Sequence, residues 1–266
     1  MDLLKREIAP ILPDAWRLID AEATRVLRLN LAGRKLVDFE GPSGWTTGAV
    51  NTGRIHMFSD QPVEGVSAGL RLVQPLVELR SPIVLDTLEL DTVARGADDP
   101  DLGNVVRAAE RTARVEDEAI FNGWPDAGIA GILPSSPHSP ITVGSAAAWP
   151  EAIVRAKEVL RAAGIGGPYA VAFSPSAYDE LSAASEDGYP IRKRIEQIIE
   201  GPLVWAPAVK GAILLSIRGG DFELTVGQDL SIGYAHSERS RVELYLTESF
   251  TFRVLEPAAA VHLLRS

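Results

Sequence analysis

The sequence predicts an α+β fold, and three observations predict it. Apolar residues recur at helical spacing in two long segments. Short apolar runs bounded by glycine and proline read as buried strands. A C-terminal segment, 241–254, alternates apolar and polar side chains.

The chain has 266 residues, 46 % hydrophobic and 23 % charged, enough for one large domain or two modest ones. Its apolar runs are short and interrupted by charge, so no membrane-spanning helix is expected. MDLLKREIAP carries no apolar stretch of signal-peptide length, so a cytoplasmic protein is the expectation. Zero cysteines exclude disulfides, thiolate metal sites and a cysteine nucleophile. A formal net charge of −10 disfavours nucleic acid and anionic membrane as partners. The first forty residues balance seven bases against seven acids, unlike a basic nucleic-acid arm.

Taken in order, Trp16, Ile19, Ala23, Val26 and Leu27 share one face of a helix over 13–30, which Gly33 is expected to end. Residues 50–75 hold β-like pieces with little core pattern, as an extended arm would. A strand pair is expected around 76–90. Leu102, Val105, Val106, Ala109, Ala113 and Ile120 form the stripe of a second long helix over 102–121. The Pro- and Ser-rich stretch 131–150 reads as a boundary between subdomains. Pro150, Pro175 and Pro190 sit where helices begin, and Gly164 and Gly201 where two of them close. YAVAF (169–173), LVWA (203–206) and AILLSI (212–217) read as buried strands. In RVELYLTESFTFRV, Val242, Leu244, Leu246, Phe250, Phe252 and Val254 define the apolar face of one long half-buried strand or two in register. Glu248 falls on that face, as a buried carboxylate paired with an arginine or as a catalytic acid.

The chemistry-bearing motifs are few. His56, His138, His236 and His262 are scattered, with no metal-ligand spacing and no assigned metal. VEDEAIF (115–121) reads as a solvated face or an ion-pair network. RGGDFELTVGQDLSIGY (218–234) has the glycines of a phosphate loop, but β-like segments follow where a helix N-terminus would have to open. Gly219-Gly220 therefore reads as a hairpin turn and GQD (227–229) as a second turn. No catalytic residues are assigned and no enzyme is expected. A soluble nucleotide-using enzyme is the remote alternative.

IAP (8–10) with Trp16, GRKLVDFEGPSGW (33–45), PLVELR (75–80), LDTLELD (85–91) with Arg95-Gly96, EDEAIFNG (116–123), GPYAV (167–171), GYPIRKRIE (188–196), RGGDFELTVGQDLSIGY and YLTESFTFRV together resemble the encapsulins, in the same order and over nearly the whole chain. The resemblance implies the Hong Kong 97-like fold of tailed-phage major capsid proteins. It divides the chain into a peripheral domain (1–49, 76–134 and 223–266, with its N-terminal helix on the lumen side), an extended loop (50–75) and an axial domain (135–222). It implies self-assembly of about sixty copies into a closed icosahedral nanocompartment. Cargo enzymes, most of all a ferritin-like iron-storing protein, would enter through a C-terminal targeting peptide. A shell for a dye-decolourising peroxidase and a prophage capsid protein are the alternatives.

The implied peptide groove uses Leu27, Asn30, Arg34, Asp38, Leu230, Ile232 and Tyr234, with a charged pair fixing register. Ordinary core is the other reading of Leu230 and Ile232, and Arg34 and Asp38 are also placed to pair with each other. Ser185, Glu186, Asp187, Gly188 and Tyr189 match the loop around the five-fold pore, where repeated acids would admit cations such as ferrous iron. A solvated surface turn is the alternative there. Some family members bind flavin on an exposed aromatic in the segment matching LDTLELD. Leu88 stands at that place, so no cofactor is expected.

Overall fold

The structure is a computed structural model and describes residues 3–186 and 189–265. Two sheets organise it. The first is built from β1 (Asp38–Glu40), β4 (Val77–Asp86), β11 (Phe222–Val226), β12 (Ser231–Glu238) and β13 (Arg241–Val254). The second runs in the order β5 (Ile141–Val143), β14 (Ala260–Arg265), β10 (Ala212–Ser216), β6 (Tyr169–Phe173), β9 (Leu203–Trp205). Two hairpins stand apart: β2 (Ala49–Met57) with β3 (Gly69–Pro75), and β7 (Ser185–Glu186) with β8 (Tyr189–Pro190).

Helices α1 (Pro13–Asn30) and α3 (Gly103–Asn122) lie together over the first sheet. Ile19, Ala23 and Val26 of α1 share a core with Ile83, Val105, Ala109, Ile232 and Leu244. The short α2 (Thr87–Ala94) begins at Asp86, whose carboxylate accepts from the Leu88 N–H at 2.8 Å. Around the second sheet lie α4 (Ile132–Ser135), α5 (Trp149–Ala162), α6 (Pro175–Ala183) and α7 (Ile191–Ile199). Their core centres on buried Trp149, edge-on to Phe173 with centroids 5.1 Å apart.

The 49–75 arm has almost no core of its own. Ile55, Met57, Phe58, Leu70 and Val73 are exposed on it. A lone two-stranded ribbon is marginal in water, so these apolar faces suit burial against another chain.

Several sequence expectations shift. In place of a strand pair over 76–90 there is one strand, 77–86, because Asp86 caps a helix there. α1 stops at Asn30, three residues before Gly33, which opens a 3₁₀ turn instead. At the end of α7 the left-handed residue is Glu200, not Gly201. Gly201 is needed because a Cβ there would lie 2.2 Å from the Tyr169 carbonyl oxygen. β13 is buried at consecutive positions through its middle, so both faces are covered there, α3 packing against it while strands pair along its edges. The C-terminal strand 260–265 pairs with 212–216 in the second sheet, whereas the expected division grouped it with the first.

The 218–234 segment differs most. Gly219 and Gly220, both at positive φ, do not close a hairpin. They carry the chain from β10 in one sheet to β11 in the other. Nor does GQD reverse the chain. β4 lies along one edge of β13, while β11 and then β12 lie along the other. Between Val226 opposite Phe250 and Ser231 opposite Thr247, one strand advances five residues and its partner three. Residues 227–230 are thus a two-residue bulge along one edge of β13, held by Gly227 N–H to Ser249 O at 2.8 Å, and the register shifts once more between Tyr234 and His236.

Candidate functional site: a slot beside a buried charge cluster

A bulge re-aims side chains, and this one separates two environments. Asp229 turns inward to a charged cluster, while Leu230 turns towards α1. Beneath the bulge, Arg34 is the hub. Its Nε and Nη2 donate to Glu116 at 2.8–3.0 Å, Nη1 donates to Asp229 at 2.8 Å, and Nη2 also donates to Glu248. Glu116 and Glu248 are fully buried, and the Arg34 side chain is 17 % exposed.

The adjacent Asp117 takes the backbone of the same turn, accepting from Ala32 N–H at 2.9 Å and Gly33 N–H at 2.8 Å. Glycine makes room at 33, where a Cβ would sit 2.5 Å from the Ile120 Cδ1 and force that side chain to shift. The acid pair of α3 therefore clamps residues 32–34 by main chain and side chain together.

Two carboxylates buried around one guanidinium repel each other strongly in a dry site, whereas the Asp229 side chain is 40 % exposed. Burial first, and then the nearby Glu116 charge, push the Glu248 carboxyl well above its usual range, outweighing Arg34. Its buried Oε2 has no hydrogen-bond partner among the described residues. Burial also pushes Asp117 up to about 7, against two N–H bonds that favour its charged form. Burial alone would lower the Arg34 pKa, but Glu116, Glu248 and Asp229 reverse this and raise it.

On the other side of the bulge lies a slot of about 260 Å³. Ala23, Thr24 and Leu27 of α1 form one side, and Leu230, Ser231, Ile232 and Leu246 the floor. Leu4, Arg6 and Asp20 complete it. A wider hollow of about 640 Å³ at the start of α1, bordered by Ile11, Trp16 and Arg17, shares Arg6 and Asp20 with the slot.

Of the expected groove residues, the structure brings Leu27, Leu230 and Ile232 together. Ile232 is also true core, at 3 % exposure. Asn30 does not line the slot and spends its amide on the Val26 carbonyl at 2.9 Å. The Tyr234 side chain lies outside it too, its hydroxyl bonding Ser237 at 3.0 Å. The charged pair is the main correction. Arg34 belongs to the buried cluster, and Asp38 accepts from Gly220 N–H at 2.6 Å beside a separate cavity of about 230 Å³. Neither lines the slot. Leu4, Arg6, Asp20 and Thr24 are the lining residues that sequence reasoning missed. The i, i+3/i+4 spacing of Asp20, Ala23, Thr24 and Leu27 on α1 was the signal available for two of them, Asp20 and Thr24.

At the expected pore loop, β7 and β8 form a tight hairpin with Ser185 and Tyr189 exposed. Asp187, Gly188 and the Glu186 side chain lie outside the described residues. Among the described residues no acid or histidine cluster could hold a metal, and no helix is long and apolar enough to cross a membrane.

A two-sheet chain with a projecting two-stranded arm is the architecture of shell-forming capsid proteins of the Hong Kong 97-like fold. Structural comparison bears this out at the level of fold. The virus-like particle protein of Pyrococcus furiosus matches with a TM-score of 0.63 at 15 % identity, covering 92 % of this chain and 98 % of its own. The capsid of Myoviridae phage XM1 matches with a TM-score of 0.57 at 13 % identity, covering 89 % and 92 %.

Sequence comparison then narrows the class. The family described as encapsulating protein for peroxidase matches residues 1–251. A type 1 encapsulin shell protein of Rhodospirillum rubrum is 45 % identical, over 99 % of this chain and 96 % of its own. Another from Mycobacterium tuberculosis is 42 % identical, over 99 % of both chains. The chain belongs to the encapsulin family of shell proteins, which form capsid-like nanocompartments.

Proposed function

We propose that this chain assembles in about sixty copies into a closed icosahedral shell that captures a cargo enzyme by its C-terminal tail. The observation that carries the cargo reading is the slot in which Leu27, Leu230 and Ile232 converge beside α1. Its apolar floor suits alternate side chains of an extended tail, and on this reading α1 faces the lumen. The exposed 49–75 arm supports assembly, since neighbouring copies would bury its apolar residues.

The cargo we infer is a ferritin-like iron-storing protein, with the acidic loop at 186–187 admitting ferrous ions to it. The family description names a peroxidase and favours the second reading, a peroxidase shell. Mass spectrometry of natively purified particles separates the two. Leu88, exposed at the start of α2, offers no aromatic face, and no flavin is proposed.

The test is Leu230→Asp, because Ile232 is too buried for a clean charge insertion. Particles of unchanged size, depleted of co-purifying protein, are expected. Full loading of that variant would refute the slot as the docking site.

A further inference from the structure

The outer edge of β12 pairs with no strand among the described residues, yet it is not bare. The chain's own N-terminal segment crosses it. Tyr234 N–H donates to the Leu4 carbonyl at 2.8 Å, and the Tyr245 hydroxyl donates to the Leu3 carbonyl at 3.0 Å. Arg6 then ties the strap to α1, pairing with Asp20 at 2.6 Å and lying 3.9 Å from the centroid of the Trp16 ring. Leu4 is half-buried, with its side chain on the slot.

Two consequences follow from this geometry. The slot keeps its 260 Å³ with the strap in place, so the strap bounds the slot without filling it. Its volume falls below the roughly 300–1,000 Å³ of small-molecule sites, which suits side chains of a longer segment better than a whole cofactor. The Tyr234 N–H is already committed to Leu4, so an incoming peptide cannot extend the sheet by strand addition at that residue. Recognition there has to run through side chains.

Resting on the cargo-docking reading above, we propose that residues 3–6 are the fourth wall of the tail slot. Leu4 and the Arg6–Asp20 pair then determine which tail fits. Leu4 closes the apolar pocket over an aliphatic anchor of the tail. The Arg6–Asp20 pair forms a fixed polar lip with a donor and an acceptor for the groups flanking that anchor.

The test uses full-length shells co-expressed with a fluorescent protein. That probe carries the C-terminal tail of whichever protein co-purifies with native particles. Leu4→Asp is expected to form particles of unchanged size holding about tenfold less fluorescence, the loss of one buried aliphatic contact. Leu4→Ala, the milder variant should Leu4→Asp fail to assemble, is expected to fall between. Arg6→Asp lowers loading, and Arg6→Asp/Asp20→Arg restores it. Unchanged loading in Leu4→Asp or Leu4→Ala overturns the proposal, and so does increased loading, which would make the strap a competitor of the tail. Leu230→Asp separates the two levels. If it too loads fully, the slot is not the docking site; if it is empty while the Leu4 variants load normally, only the strap assignment fails.

Discussion

Replacing Arg34 with methionine keeps the length of the side chain and removes the one cation that three carboxylates share. Glu116 and Glu248 are fully buried and would be left facing each other without it. Removing one partner from a buried ion pair costs about 3–5 kcal/mol, because the remaining charge stays desolvated. For a chain of this length that corresponds to roughly 10 °C in the unfolding midpoint. The sign of its pH dependence follows from Glu248. A carboxyl whose pKa is raised by folding contributes stability that is complete below the usual carboxylate value of about 4.3, and lost as pH rises through its folded pKa. Losing Arg34 removes what holds Glu248 down and raises it further, which widens that window. The Arg34→Met deficit is therefore expected to be small at pH 5 and largest at pH 8. Tryptophan-fluorescence melting of assembled particles, at one scan rate across that range, reads it. Glu248→Gln is the companion variant: it keeps an oxygen acceptor for Arg34 and mimics the neutral carboxyl, so its cost at neutral pH is expected to stay near 1 kcal/mol. A deficit in Arg34→Met that does not change with pH, or one below about 1 kcal/mol, would refute the reasoning.

Two further outcomes are expected. Gly33→Ala places a Cβ 2.5 Å from the Ile120 Cδ1 and is expected to cost about 1–3 kcal/mol by overpacking, with partial recovery in Gly33→Ala/Ile120→Val, both read by melting. Glu186→Gln/Asp187→Asn removes the proposed acid ring and is expected to slow ferrous-ion uptake by loaded shells, an unchanged rate counting against the pore assignment.

Where local pattern and tertiary environment agree, the sequence was readable. α1 occupies Pro13–Asn30 as its apolar spacing requires, and the alternation over 241–254 is one strand. Glu248 on the apolar face does meet an arginine. What local pattern could not reveal was the partner, which lies 214 residues away. The same holds for Glu116 and Asp117, whose helix shows two acids while the turn they clamp lies more than eighty residues upstream. The segment TLELDTVA alternates well enough to imitate a strand, and only the Asp86 cap shows it to be a helix. GQD has turn chemistry in any local reading; that it is a bulge is visible only from the cross-strand register on both sides of it. The slot was half legible. Leu27, Leu230 and Ile232 were found by resemblance, whereas Leu4 and Arg6 come from a segment whose sequence shows no core periodicity.

Electron cryo-microscopy of natively purified particles tests the central claim most directly. The account predicts closed, hollow icosahedral shells of about sixty copies, with an extended stretch of non-shell density on the inner wall between α1 and β12, against Leu4, Leu27 and Leu230. A discrete small oligomer, a shell filled with nucleic acid, or cargo density anchored elsewhere on the wall would contradict it.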